Sequence, residues 1–580
     1  MSQIKHEEPF YFLYKQKKML INGGFRFSTP TLHYRFRAMN PKTFKQRIHI
    51  LIKNGLALSV IVLALLWQFA PWVLYPDSRY LYVAPNGNDW RFGNSPERPL
   101  ATLGRAVELA RPGTIITVQP GRYHERLLIR KGGLPNAPVI FRAEKPGTVI
   151  FSGGTPSALA PELLWRPEGN GIYSTHAPWS IYAFLANGER LLHCRTEKAF
   201  RQFVTRPLAY GAFVQIDKRL LLRLRDGANP DNAVLKFNGP VPYPLANGVW
   251  RAANVWLEAS HFRFEGIRFE LGGSSGISLF KSRNLDVREC VFTGADIGID
   301  ASRAAPGRID LSICNCASLN YPADEWQPRW LSWQECYIHQ RNRAFIDVSR
   351  DGVIVQGNLV TGSGDGMHIS PLSDRSEYGA DISGNLIAHC NDDAIEFDGF
   401  AQNVRFHHNL VYDCPMSLGV SPVLRGPVII AYNLFLHPPD RAYACQIKFL
   451  HPWQHRQKPL NGPIRNIEIH HNTFVSDWLC WHRPDIPVVD VRIHHNLFAV
   501  QRCSDPAWPP GVHEYSNDYI NLPLDTYPNP GRDERWFSSA YTSRSGEKWT
   551  IKRPGPSWLV WDSEPGVKRL LNELDVGWSE

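Results

Sequence analysis

Residues 404–436 read VRFHHNLVYDCPMSLGVSPVLRGPVIIAYNLFL, and within them an apolar run, an Asn and a second apolar run appear twice, with the Asn residues at 409 and 433. The same unit recurs on both sides, as FRFEGIRFE (262–270), LDVRECVFTG (285–294), IDLSICNCAS (309–318), VIVQGNLVTG (353–362), ADISGNLIAH (380–389), IEIHHNTFVS (467–476) and VRIHHNLFAV (491–500). The residue before the second run is Gly266, Glu289, Asn315, Asn358, Asn385, Asn409, Asn433, Asn472 and Asn496, at separations of 23, 26, 43, 27, 24, 24, 39 and 24. A unit near 24 residues, lengthened at two places, is built of short alternating runs without a 3.6-residue period. Three short strands per unit with a turn at a fixed residue predict one coil of a parallel β-solenoid.

Asn suits the corner because it tolerates left-handed backbone and its amide can bond to the Asn one coil on, about 4.8 Å away. On these residues the chain resembles the right-handed parallel β-helix family that includes pectate lyases and chondroitinase- and alginate-lyase-type enzymes. The entry segment strengthens the resemblance: Tyr82–Asp89 (YVAPNGND), Pro99–Leu103 (PLATL) and Arg111–Thr114 (RPGT) are similar to the opening of exported β-helix proteins. There a short helix plugs the open end. Thr102 is a good N-cap, and Leu103, Ala106, Val107 and Ala110 make one apolar face.

The rest of the 580 residues divides around this core. The net charge of +10 sits almost wholly in residues 1–54, which hold 11 Lys/Arg and 2 Glu. The remainder is nearly neutral, which argues against nucleic-acid binding by the main body. Residues 55–75 (GLALSVIVLALLWQFAPWVLY) carry no charge and span roughly 30 Å as a helix, the thickness of a bilayer core. Trp67, Trp72 and Tyr75 toward one end and Lys42, Lys45, Arg47 and Lys53 before the other predict a single-pass anchor in the cytoplasmic membrane. The N-terminus is then cytoplasmic, and the main domain periplasmic or extracellular. A cleaved signal peptide is the rival reading, weakened by the long basic lead and by Pro71 after Ala70. Residues 77–150 then form entry and cap, 151–250 an inserted β subdomain without the repeat, 251–504 the coils and 505–580 a C-terminal wrap or cap. The ten Cys give no disulfide framework and read as buried packing.

One strand of each coil carries the candidate chemistry. Aligning 344–348 (AFIDV), 365–369 (DGMHI), 393–397 (DAIEF), 416–420 (MSLGV) and 445–449 (CQIKF) puts Asp347, His368, Glu396, Gly419 and Lys448 in one outward column about 20 Å long. Asp365, Asp392 and Asp393 lie beside it. The insertion at about 317–343 enters just before this strand, and loops at 374–378 and 451–463 leave just after it. They bring Trp326, Trp330, Trp333 and Trp453, which read as sugar-stacking platforms along a groove.

Such a groove suits β-elimination on an acidic polysaccharide. Lys448, desolvated, can act as base, with His368 and Glu396 carrying protons. Asp347, Arg425, Trp330, Trp333 and Trp453 contact substrate, Arg425 clamping its carboxylate. Asp365, Asp392 and Asp393 can hold Ca²⁺. A hydrolase would pair Glu396 with Asp365 or Asp393; an epimerase, or a non-catalytic polysaccharide scaffold, would use the same groove. Blander readings stand beside these: outward strand positions are polar anyway, Asp commonly closes a turn before a strand, and loop Trp packs loops. The His-His-Asn steps at 407–409, 470–472 and 494–496 read as stacked structural histidines, with alternation sending the two rings of each step to opposite faces.

Overall fold

The computed structural model describes most of residues 79–154, 164–239, 252–320, 344–371, 379–437, 445–449, 462–482, 487–502, 508–521 and 542–579. The predicted span 55–75 lies outside these, as do Trp326, Trp330, Trp333 and Trp453. Among the described residues no helix is long and apolar enough to cross a membrane.

One coil shows how the repeat folds. Val404–His407 turns at Asn409 into Leu410–Tyr412, turns again into Met416–Val423, and returns as Val428–Ala431 beside its own start. Each strand pairs in parallel with its counterpart one coil on: Val404 with Val428, Leu410 with Leu434, Leu418 with Ile447. Repetition builds three parallel faces. The first holds thirteen strands among the described residues, from Tyr80–Val83 to Val512–Tyr515, so coils continue past the expected end at 504. Inward side chains such as Phe406, Val411, Leu418, Val420 and Ile430 are fully buried in one continuous core. Each contributes about 1.5–3 kcal/mol. Rings stack from coil to coil, Phe435 on Phe474 with centroids 4.5 Å apart and Phe474 on Phe498 at 5.1 Å.

The corner differs from expectation in two respects. The buried amide ladder is present: Asn358 N donates to Asn385 Oδ1 (2.9 Å), Asn385 N to Asn409 Oδ1 (3.0 Å) and Asn409 N to Asn433 Oδ1 (2.8 Å). It continues through Asn472 and Asn496 to Asn517. The left-handed residue is the one before each ladder Asn: Gly357, Gly384, His408, Tyr432, His471 and His495, with φ of 53–66°. Asn315 and Glu289 belong to that left-handed column, and Cys316 takes the ladder position, its N–H donating to Asn358 Oδ1 (2.8 Å). Left-handed backbone also overturns the expected divergence of the histidine pairs. At His408, His471 and His495 it turns the ring back, so both Nδ1 atoms of each step face one another at 2.7–2.8 Å.

Separate elements close the first coil and pack outside the others. Leu103–Leu109 is the plug helix, with Thr102 Oγ1 accepting from Arg105 N (3.1 Å). Between 164 and 239 lie antiparallel strands, Ala212–Ile216 pairing with Arg219–Arg223 and that strand with Ile172–His176. A helix at Glu197–Val204, not foreseen from the sequence, packs Phe200 and Phe203 against them. The C-terminal segment lies along the outside of the second face, with Leu559, Trp561, Leu570 and Leu574 buried against Leu359, Leu386 and Leu410. Arg268 and Glu564 pair there at 2.9 Å.

Candidate active site

The column predicted from alternation exists in register. Asp347 lies opposite His368, His368 opposite Glu396, Glu396 opposite Gly419, and Gly419 opposite Lys448. The row also runs one coil further back, to Asp300 opposite Asp347. Its inward neighbours Ile346, Met367, Ile395, Leu418 and Ile447 are all buried, which fixes the exterior direction of the row. The row is largely shielded at its two ends and part-exposed between them: Asp347 is 5% exposed and Lys448 8%, whereas the His368 and Glu396 side chains are 24% and 21% exposed.

Two interlocked clusters share Glu396. In the first, His368 Nδ1 lies 3.5 Å from Asp347 Oδ1, and its Nε2 lies 3.2 Å from Asp398 Oδ2 and 3.7 Å from Glu396 Oε2. Asp398 was not foreseen; it lies two residues beyond Glu396 in the same strand, so alternation returns it to the same side. In the second, Lys448 Nζ is ion-paired with Asp393 and lies 3.8 Å from Glu396 Oε1. Gly419 makes this pair possible. A Cβ there would sit 2.8–2.9 Å from the Asp393 carboxylate, which therefore occupies the space over the glycine.

The charges explain the protonation states. Burial alone would lower the Lys448 ammonium, but Asp393, Glu396 and Asp392 around it outweigh burial and hold it well above the usual lysine value. The expectation of a base lowered by burial is thereby reversed for the protein by itself. His368 behaves alike: burial acts to lower it, and its bonds to Asp347 and Asp398, with Glu396 nearby, raise it well above the ordinary imidazole value. Burial, then the charges of Asp392 and Glu396, push the Asp365 carboxyl far up, and burial lifts Asp392 to about 6. Carboxylates crowd here in excess of the cations that face them.

That excess fits a hard divalent cation. Asp365, Asp393 and Glu396 each offer a carboxylate oxygen within 4.8 Å of the others. Asp393 Oδ1 is buried without a hydrogen-bond partner among the described residues. Oxygen-only donors of this kind suit Ca²⁺. Of the expected ligands, Asp365 and Asp393 fall in this trio; Glu396 completes it, and Asp392 contributes charge beside it. Arg425 is not brought to the row. It is exposed on a turn six residues past Gly419, where its carbonyl accepts from Asn466 Nδ2 (3.3 Å).

No protein-family model matches the chain. An uncharacterized protein of Bacillus subtilis (strain 168), YwoF, is 40% identical over 74 residues, 13% of this chain and 16% of that protein. Pectate lyase L of Dickeya dadantii (strain 3937) is 28% identical over 109 residues, 17% of this chain and 24% of the relative. The chain thus spans a quarter or less of the curated relatives' length. The solved complex of XylC with xylose aligns over 77% of this chain and 85% of that one, at 12% identity and a TM-score of 0.43. By its own sheet topology, three parallel faces wound coil upon coil, the chain is a parallel β-helix protein.

Proposed function

We propose that this protein is a membrane-anchored, extracytoplasmic lyase that cleaves an acidic polysaccharide by β-elimination in the groove of the third face. The observation that carries the reading is the placement of Lys448 and the Asp365–Asp393–Glu396 trio on either side of Gly419. The partial likeness to a pectate lyase points the same way.

The step needs three things: neutralisation of the uronate carboxylate, removal of the C5 proton, and protonation of the leaving oxygen. A divalent cation held by Asp365, Asp393 and Glu396 would offset both the uronate charge and the carboxylate charge that keeps Lys448 protonated. Lys448 Nζ, once its own proton has gone to solvent, would take the C5 proton; the C–H electron pair would become the C4–C5 double bond as the C4–O bond breaks. His368, held as imidazolium by Asp347 and Asp398, returns a proton to the departing oxygen. Trp330, Trp333 and Trp453 are proposed to line the groove from the loops that flank it.

A hydrolase on the same row is the second reading: burial raises the Asp392 carboxyl to about 6, the range of a general acid, beside the carboxylates of Asp365, Asp393 and Glu396. The test is to incubate the purified chain with acidic polysaccharides and Ca²⁺. New ultraviolet absorbance from unsaturated uronates supports the lyase, and new reducing ends without absorbance support the hydrolase. Binding without either product leaves a scaffold and overturns both.

A further inference from the structure

The first face carries, at its corner toward the Asn ladder, three vicinal histidine pairs: His407–His408, His470–His471 and His494–His495. They lie well away from the acidic row in the coil. The left-handed second residue of each pair aims the two Nδ1 atoms at each other, 2.7, 2.8 and 2.8 Å apart. Adjacent pairs stack in register, His470 on His494 and His471 on His495, with centroids 5.3 and 5.2 Å apart and planes within 4°.

From this geometry we propose that the pairs His470–His471 and His494–His495 are bidentate sites for a square-planar or tetragonal divalent transition metal, Cu²⁺ or Ni²⁺. The spacing decides the metal. Two nitrogens about 2.0 Å from one ion are about 2.8 Å apart at a right angle and about 3.3 Å apart at a tetrahedral one. The observed separation, set by the hydrogen bond within each pair, already matches the former, whereas a tetrahedral ion would require the two rings to part by about 0.5 Å. The donors are nitrogen only, so the Ca²⁺ suited to the groove does not compete.

The surroundings prepare the nitrogens. His494 Nε2 lies 2.9 Å from Glu468 Oε1, so Nε2–H donates to the carboxylate and Nδ1 is left with its lone pair toward His495. That carboxylate–imidazole arrangement is the one that orients histidine ligands in metal sites. His407 Nε2 faces Asp381 Oδ1 in the same way at 3.3 Å, which makes this third pair a candidate of the same kind. Without metal, one proton lies between the two Nδ1 atoms of a pair. On binding, that proton leaves Nδ1 of the exposed His495 and Nε2 of the same ring takes one from water, so the ring stays neutral.

The experiment adds Cu²⁺ to the full chain in excess Ca²⁺ and reads nitrogen couplings by electron paramagnetic resonance. Asn accepts the left-handed backbone that Ala resists, so the variant is His471→Asn/His495→Asn. Expected are Cu²⁺ signals with two imidazole nitrogens, lost from two equivalents in the variant while the coil's circular dichroism is unchanged. Glu468→Gln, a half-exposed change that leaves every ligand in place, is expected to weaken binding about tenfold. Wild-type protein lacking two-imidazole Cu²⁺, or an undiminished number of such equivalents in the double variant, overturns the proposal and leaves the pairs a hydrogen-bonded structural ladder.

Discussion

Gly419→Ala tests the site at its tightest point. The glycine is not in the left-handed region, so Ala is free to adopt its backbone, and the cost is confined to one contact. The new Cβ would lie 2.8 Å from Asp393 Cγ and Oδ1, where ordinary contact begins near 3.4 Å, so the carboxylate must retreat by about 0.6 Å. Retreat loosens the Asp393–Lys448 pair and moves one corner of the proposed cation trio. A displacement of about 1 Å at a reacting group costs on the order of 10²-fold in rate, so a loss of roughly 10- to 100-fold is expected, about 1.4–2.8 kcal/mol in barrier. Overpacking adds about 1–3 kcal/mol of destabilisation, read separately from the denaturant midpoint. The assay is the initial rate of unsaturated-uronate formation at saturating Ca²⁺, run as a cycle with Asp393→Ala. Because the methyl acts only through that carboxylate, Gly419→Ala should have little further effect once Asp393 is truncated. A single variant within twofold of wild type, or an equal loss in the Asp393→Ala background, refutes the reasoning.

Lys448→Ala is expected to abolish elimination while leaving polysaccharide binding measurable by pull-down; persisting product removes Lys448 from the chemistry. Chelation of Ca²⁺ should stop the reaction reversibly, and Asp365→Asn should raise the Ca²⁺ concentration needed for half-maximal rate about tenfold or more; an unchanged requirement excludes Asp365 as a ligand. Asn409→Ala removes donors to Ile382 O, His407 O and Asn433 Oδ1 and the acceptor for Asn385 N and Nδ2, all inside the ladder. Several buried partners at about 1 kcal/mol or more each predict a loss of roughly 3–5 kcal/mol in unfolding free energy, and a loss below 1 would make the ladder ornamental. Deleting residues 55–75 should shift the protein from the alkali-resistant membrane fraction to the soluble one.

The coil was legible because its signal is periodic. Inward positions must be apolar every second residue, and the buried Asn must recur once per turn, so the pattern survives loop insertions of 15–19 residues. The row from Asp347 to Lys448 followed from that period alone, since parallel register carries one exterior position from coil to coil. What stayed hidden depends on backbone angles and on reach. The ladder was misplaced by one residue at Asn315 because a left-handed position and a laddered amide favour the same residue type. Nothing in the spacing says that Asp393 bends over Gly419 to Lys448, or that Asp398 meets His368. Nor could the state of Lys448 be read from its burial, since its sign is decided by how many carboxylates face it.

The placement of this chemistry on one face follows from how the solenoid makes room. The first face is bound to the ladder and its stacked rings, and the described part of the second is covered by the C-terminal segment around Leu559, Trp561 and Leu570. Insertions at either corner of the third face lengthen connections without disturbing the coil, because the long breaks in the period, 43 and 39 residues, fall between strands whose register is kept. The interior tolerates no charge, so every ionisable side chain on that face must project outward. There each coil sits about 4.8 Å from the next, close enough for carboxylates on successive coils to share one cation and too close for all of them to be ionised without one. A row of acids on this face is therefore costly by itself, and a ligand that offsets their charge is the most direct physical reason for it to exist.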